Sequence, residues 1–141
     1  MKNILILCTG NSCRSQMAHG FMDFYGGNKL AVYSAGIETH GLNKRAVSIM
    51  QEAGIDISGH TSNHVDEYMD IEFYHIITVC DHAQENCPYI PSNKAQRWHK
   101  NFSDPSKLVS EDENEIRSAF AATRDEIKAY CKTFVKTYIL E

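Results

Sequence analysis

Residues 8–15 read Cys8-Thr9-Gly10-Asn11-Ser12-Cys13-Arg14-Ser15, with the spacing C-x5-R-S. Each residue type has a use in holding a tetrahedral anion. The main-chain N–H groups of a short loop that opens a helix converge on such an anion, Gly10 permits tight curvature, and Arg14 offers a fork for two oxygens. The same positive field stabilises a thiolate, so Cys8 is expected to have a depressed pKa and to act as a nucleophile at neutral pH. Ser15 is placed to give Cys8 a hydroxyl hydrogen bond, Asn11 to brace the loop, and Cys13 to lie buried beneath it. A Gly-containing turn can also hold a Cys and an Arg by chance, but this one directly follows a buried strand and carries Ser15 as well. Cys80 and Cys87 flank the polar stretch Asp81-His82-Ala83-Gln84-Glu85-Asn86, which is a poor place for core packing. A zinc site with His82 is the alternative, yet C-x6-C without a second short pair is poor zinc spacing. Asp104-Pro105, taken alone, is a turn signal.

These residues need elements to position them. Ile4-Leu5-Ile6-Leu7 is a continuous apolar run, as in a parallel strand buried on both faces. Met17, Ala18, Phe21, Met22 and Tyr25 then fall at helical spacing and stop at Gly26-Gly27. Leu30 to Ala35 reads as a second strand, and Ala46, Val47, Met50 and Ala53 as a second helix ending at Gly54. Phe73 to Val79 is the third strand and Arg97 to Phe102 the fourth. Residues 81–86 lack Gly and Pro and can form a short helix with Cys80 and Cys87 near its ends. Ser110 and Glu113 have capping-box spacing, after which Ile116, Phe120, Thr123, Ile127, Cys131, Phe134 and Tyr138 hold one helical stripe. Cys131 is therefore expected in the core. The acidic start and basic end of that helix support its macrodipole rather than mark a partner site. Thr61-Ser62 resembles a helix start, which separates His60 from His64 and leaves both as surface histidines. Alternating strands and helices give an α/β fold, with any site at the carboxyl ends of the strands.

The bulk properties agree. The chain has 141 residues, 43% of them apolar and 23% charged, which suits a single domain spanning 1–141. A net charge of −4 argues against nucleic acid, which needs many phosphate contacts from Lys and Arg. The Ile4–Leu7 run is too short for a membrane span or a signal-peptide core, so a cytoplasmic protein is expected. Five cysteines in such a chain point to chemistry or burial rather than disulfide staples.

The C-x5-R-S loop near the amino terminus resembles that of the low-molecular-weight protein tyrosine phosphatases and of the thioredoxin-coupled arsenate reductases that share their fold. Ser34-Ala35-Gly36, Glu38-Thr39-His40-Gly41, Val79-Cys80 and Asn86-Cys87-Pro88 extend the resemblance to the reductases over nearly the whole chain. It implies a four-stranded parallel sheet flanked by helices, with the anion held by Thr9, Gly10, Asn11, Ser12, Cys13 and Arg14. It further implies a relay: Cys8 attacks arsenate, Cys80 attacks the Cys8 adduct and releases arsenite, and Cys87 attacks Cys80. Thioredoxin then reduces the Cys80–Cys87 disulfide. The Asp-Pro loop of the family carries the general acid, which assigns that role to Asp104. Phosphate and sulfate are expected to compete for the cradle, and no bound cofactor or metal is expected. The potassium site of the reductase branch uses two carboxylates, and the matching positions here are His19 and Asn63. A potassium effect is not expected, although Asn11, Ser34 and Thr61 offer oxygens. The tyrosine phosphatases have aromatic residues after the Asp-Pro pair, where this chain has Ser106-Lys107. A small inorganic anion therefore fits better than an aryl phosphate, with phosphatase activity as the alternative. A non-catalytic redox sensor is the third reading. A monomer is expected.

Overall fold

The computed structural model describes residues 1–86, 90–92 and 94–140. Its elements in chain order are β1 (Lys2–Cys8), α1 (Arg14–Gly26), β2 (Leu30–Gly36), α2 (Lys44–Glu52), β3 (His75–Thr78), α3 (Asp81–Asn86), β4 (Gln96–His99) and α4 (Glu113–Tyr138). The four strands form one parallel sheet in the order β2-β1-β3-β4. In β1, Ile4 and Ile6 join the core beneath α1 and α4, whereas Leu5 and Leu7 join Val65, Phe73, Ile76 and Ile90 on the opposite face. An unbroken aliphatic run is what a strand covered on both sides needs. The four β1 side chains Ile4 to Leu7 are each at most 1% exposed, and each such burial contributes roughly 1.5–3 kcal/mol.

The chain leaves β1 toward β2 and later returns to place β3 on the other side, so the strand order reverses at β1. Loops diverge at such a point and open a crevice beyond the carboxyl ends of the strands. Cys8 ends β1 and Cys80 lies two residues past β3, which brings both thiols to this crevice.

The third and fourth strands are shorter than the apolar runs suggest. Hydrogen bonding nevertheless continues past them, with Tyr74 N donating to Asn3 O at 2.8 Å, Val79 N to Leu7 O at 2.9 Å and Phe102 N to Val79 O at 3.1 Å. The cap of α4 also differs from expectation. Asp112 accepts from Asn114 N at 2.9 Å, whereas Ser110 donates to Glu115 and accepts from Asp112 N one turn earlier. The acidic residue next to the first turn takes the cap because it also complements the helix dipole. Cys131 is fully buried against α1, with its Sγ 3.8 Å from Ala18 O.

His75 is buried in the folded chain and His19 half-buried. Trp98 Nε1 donates to His75 Nδ1 at 3.1 Å, and His75 Nε2 is a buried atom with no partner among the described residues. Burial, with a smaller contribution from the Lys2 charge, pushes His75 down to about 4; burial and the neighbouring His60 do the same to His19. The unfolded chain binds these protons near pH 6.5, so stability falls as pH drops below about 6.5 and levels off below about 4. Each histidine is expected to cost ~2 kcal/mol at pH 5 relative to pH 7.5. Urea unfolding at the two pH values tests this. His75→Asn, which keeps an acceptor near Trp98 Nε1, should reduce the pH sensitivity; an unchanged sensitivity would mean that His75 does not titrate differently in the two states.

Candidate active site

The loop from Cys8 to Arg14 turns its N–H groups inward because its carbonyls are held from outside. Glu38 N donates to Thr9 O at 2.9 Å, His40 N to Gly10 O at 2.9 Å and Asn43 N to Ser12 O at 3.0 Å. Gln16 Nε2 donates to Asn11 O at 3.0 Å, and Met17 N to Cys13 O at 3.0 Å. Across a trans peptide the C=O and the next N–H point in opposite directions. The N–H groups of Gly10, Asn11, Ser12, Cys13 and Arg14 therefore face away from those partners, toward the inside of the loop.

Gly10 and Gly36 permit this curvature by close approach. A Cβ on Gly10 would strike the His40 ring, and one on Gly36 would meet Thr9 O at 2.7 Å and Asn11 N at 2.9 Å. Asn11 adopts φ 47°, a left-handed conformation that Asn tolerates better than most residues. Its side chain braces the loop, with Nδ2 donating to Ser15 Oγ at 2.9 Å and Oδ1 accepting from Asn63 N at 2.8 Å. Ser15 thus differs from expectation: among the described residues its hydroxyl is partnered with Asn11, not Cys8. The fully buried Gln16 was not singled out from the sequence. Its amide donates to both Asn11 O and Thr61 O, and a Gln on an otherwise apolar helix face was the available signal.

The cleft above the loop has a volume of 580 Å³. Cys8, Cys80, Arg14 and Asp104 all line it, together with Ser106 and Lys107. Among the described residues no Phe, Tyr or Trp lines it. Arg14 donates through Nη1 to Phe102 O at 2.9 Å, while its Nη2 lies 3.5 Å from Asp104 Oδ2. The other Asp104 oxygen accepts from Ser106 N at 3.0 Å and Ser106 Oγ at 2.6 Å, so the Asp-Pro pair makes a turn and also carries its carboxylate to the cleft.

The thiols are arranged differently from the sequence expectation. Cys8 is pushed up rather than down, first by its hydrogen bond with Cys80 and then by burial, with Arg14 opposing both. Cys80 is pulled down to about 5, chiefly by the hydrogen bond from Cys8, with help from the Thr9 hydroxyl, the Ala83 N–H and the Arg14 charge. The two sulfurs are hydrogen-bonded partners in the cleft, so a charge on one favours the protonated form of the other. The expectation for Cys8 considered the positive loop but not a second thiol beside it. Burial pushes Cys13 up to about 12, which makes it an inert neighbour. Cys87 lies outside the described residues.

His19 and Asn63, the positions matched to a cation site, are both hydrogen-bonded within the chain. His19 Nδ1 pairs with Ser34 Oγ at 2.8 Å, and its depressed pKa keeps it neutral. Asn63 Oδ1 accepts from Thr61 Oγ1 at 2.7 Å. His60 is half-buried rather than superficial: Nδ1 lies 2.9 Å from Gln16 Oε1 and its ring 4.3 Å from that of His19. No helix starts at Thr61; His64 caps a 3-10 turn at Val65–Tyr68 instead.

Three comparisons place the chain among known proteins. The family model described as low molecular weight phosphotyrosine protein phosphatase matches residues 3–139. The protein named arsenate reductase from Halalkalibacterium halodurans is 49% identical over 136 residues, 96% of each chain. Arsenate reductase 1 of Staphylococcus epidermidis is 47% identical, covering 94% of this chain and 95% of its own. Among solved structures, an arsenate reductase in its oxidised state has TM-score 0.82 and 28% identity, covering 96% of this chain and 98% of its own. A tyrosine phosphatase of Erwinia amylovora, 19% identical with TM-score 0.79 over 100% of this chain and 95% of its own, shares the fold. The chain belongs to the low molecular weight phosphotyrosine protein phosphatase family and, within it, to the arsenate reductases.

Proposed function

We propose that this protein reduces arsenate to arsenite through the thiols of Cys8, Cys80 and Cys87, and that thioredoxin restores them. The observation that carries the reading is that a second thiol, Cys80, lines the anion cleft beside Cys8 and Arg14. Ester hydrolysis needs one nucleophilic thiol, whereas a two-electron reduction needs a second thiol to close a disulfide.

In the first step the Cys8 sulfur attacks dihydrogen arsenate. A sulfur–arsenic bond forms as one arsenic–oxygen bond breaks, and the thiol proton leaves with that oxygen as water. Asp104 is the group placed to hand the proton over, while Arg14 and the loop N–H groups hold the remaining oxygens. In the second step the Cys80 thiolate attacks the Cys8 sulfur. The sulfur–sulfur bond forms, the sulfur–arsenic bond breaks, and its electron pair stays on arsenic, which leaves as arsenite. Cys87 then displaces Cys8 from Cys80, and a dithiol of thioredoxin type reduces the remaining disulfide. Phosphate and sulfate fit the same cradle as competitors. The protein acts as a cytoplasmic monomer in this reading, and no described helix is long and apolar enough to cross a membrane.

Slow hydrolysis of phosphate esters is a side reaction of the same cradle, and Ser106 and Lys107, which line the cleft after the Asp-Pro pair where the tyrosine phosphatases have aromatic residues, argue against a tyrosine phosphatase as the main role. The purified protein, given arsenate and reduced thioredoxin, is expected to release one arsenite for each thioredoxin oxidised. Rapid hydrolysis of an aryl phosphate with no arsenite would replace this reading with the phosphatase, and oxidation of the thiols without either product would leave the redox sensor.

A further inference from the structure

The Thr9 hydroxyl stands between two groups, 3.3 Å from Cys80 Sγ and 3.0 Å from His82 Nδ1. It has a single proton to donate and accepts through lone pairs. If that proton goes to the Cys80 sulfur, His82 Nδ1 must be the donor to Thr9 Oγ1. If it goes to His82 instead, the Cys80 sulfur loses this bond.

We propose that His82 is a positioning residue for Cys80: by donating from Nδ1 it turns the Thr9 hydroxyl toward the sulfur and so holds Cys80 as the attacking thiolate. This inference rests on the relay proposed above, and it assigns the relay a residue that lies on neither the anion loop nor the thiol set. The direction of the chain follows from charge. In the relay Cys80 attacks as a thiolate, a thiolate is the strongest acceptor within reach of Thr9 Oγ1, and hydrogen bonds to ionised groups exceed neutral ones. His82 is exposed on the first turn of α3, so its proton exchanges with solvent while the sulfur it serves is buried. Cys80 is drawn in the same direction by the Ala83 N–H and Arg14. The thiolate is kept without a net proton change. When it attacks Cys8, its electron pair enters the new sulfur–sulfur bond and the Thr9 hydroxyl is released to turn.

Cys8, Arg14 and, through Thr9, His82 face Cys80 directly; Cys13, Glu38, His40, Asp81, Asp104 and Lys107 are the other ionisable residues of the cleft. None of these but His82 changes in the test. Cys80 alkylation by iodoacetamide is followed against pH in the full-length reduced protein, with each cysteine resolved by mass spectrometry. His82→Ala should raise the Cys80 midpoint by about one pH unit, a tenfold loss of thiolate below the midpoint. His82→Asn, which puts an amide N–H where Nδ1 stands, should restore most of the shift. Thr9→Val should raise the midpoint alike, and adding His82→Ala to it should change little more, because the two act through one bond. A midpoint that falls in His82→Ala would mean that Thr9 donates to His82 in the native protein, and an unchanged midpoint would mean that the chain does not reach the sulfur; either result overturns the proposal. Alkylation requires no arsenate, so a wild-type protein that releases no arsenite would sink the reductase reading while leaving this measurement to decide the role of His82.

Discussion

Cys80→Ser is expected to end arsenate turnover, with the rate falling to that of the protein-free control, while ester hydrolysis at the Cys8 cradle persists. A serine hydroxyl in place of the Cys80 thiolate cannot close a disulfide, so the arsenic adduct on Cys8 would have no route to arsenite. Cys87→Ser should fail in another way: one arsenite per protein molecule is released and the chain stalls with Cys8 bonded to Cys80. Cys131→Ser, altered in the core beneath α1, should keep its turnover. Quantifying arsenite per protein in a single-turnover experiment, with non-reducing peptide mapping of the disulfide, separates the three. Sustained turnover by Cys80→Ser would refute the relay. The last disulfide is also expected to require motion: a helix carried through from residue 80 to residue 87 would rise roughly 10 Å, the Cα atoms of a disulfide lie within about 7 Å, and closing the Cys80–Cys87 bond is therefore expected to open α3. A six-residue helix is marginal in isolation, which suits that role. Amide protection across 81–86 should therefore drop on oxidation while that of 8–15 changes less.

The sheet was legible because its signal is local. Ile4–Leu7 has no polar residue and so has to be covered on both faces, and that requirement alone places β1 inside the sheet. Resemblance to a known family then supplied the count of four strands. The cap of α4 was misplaced because Ser110 and Asp112 are both good acceptors two residues apart, and the competition is settled by where the first turn packs. The cradle itself was legible in a different way, through violation of local preference. Arg14 opens α1, where a cation opposes the macrodipole by about 0.3–1 kcal/mol, and Asn11 holds a left-handed backbone. Residues that work against their own helix or turn are expected at functional sites. What the sequence could not reveal is through-space pairing. Cys8 and Cys80 are 72 residues apart in the chain, and the direction of the Cys8 pKa depends on that neighbour. The Thr9 to His82 contact and the Gln16 brace are of the same kind, since neither leaves a periodic or compositional trace.

Arg14→Ala is expected to reduce both reactions of the cradle, ester hydrolysis and arsenite release, by about a hundredfold or more. Removing one preorganised oxyanion contact costs on the order of 3 kcal/mol of transition-state stabilisation, and this guanidinium also affects the groups around it. Its Nη1 bond to Phe102 O fixes its plane, its Nη2 sits beside Asp104, and its charge favours thiolate on both Cys8 and Cys80. Arg14→Lys distinguishes charge from shape. A lysine keeps the positive field but cannot give two parallel N–H bonds to one anion, so it should recover part of the thiolate and little of the rate. The decisive comparison is with Cys80→Ser, in which hydrolysis survives and reduction does not. If Arg14→Ala hydrolysed an aryl phosphate at the original rate, the anion would have to sit elsewhere in the cleft, and the inward-facing N–H groups of residues 10–14 would need another explanation. Alanine is a good helix former and Arg14 is the first residue of α1, so the helix should still form and the loss can be assigned to chemistry once the far-UV spectrum of the variant matches the wild type.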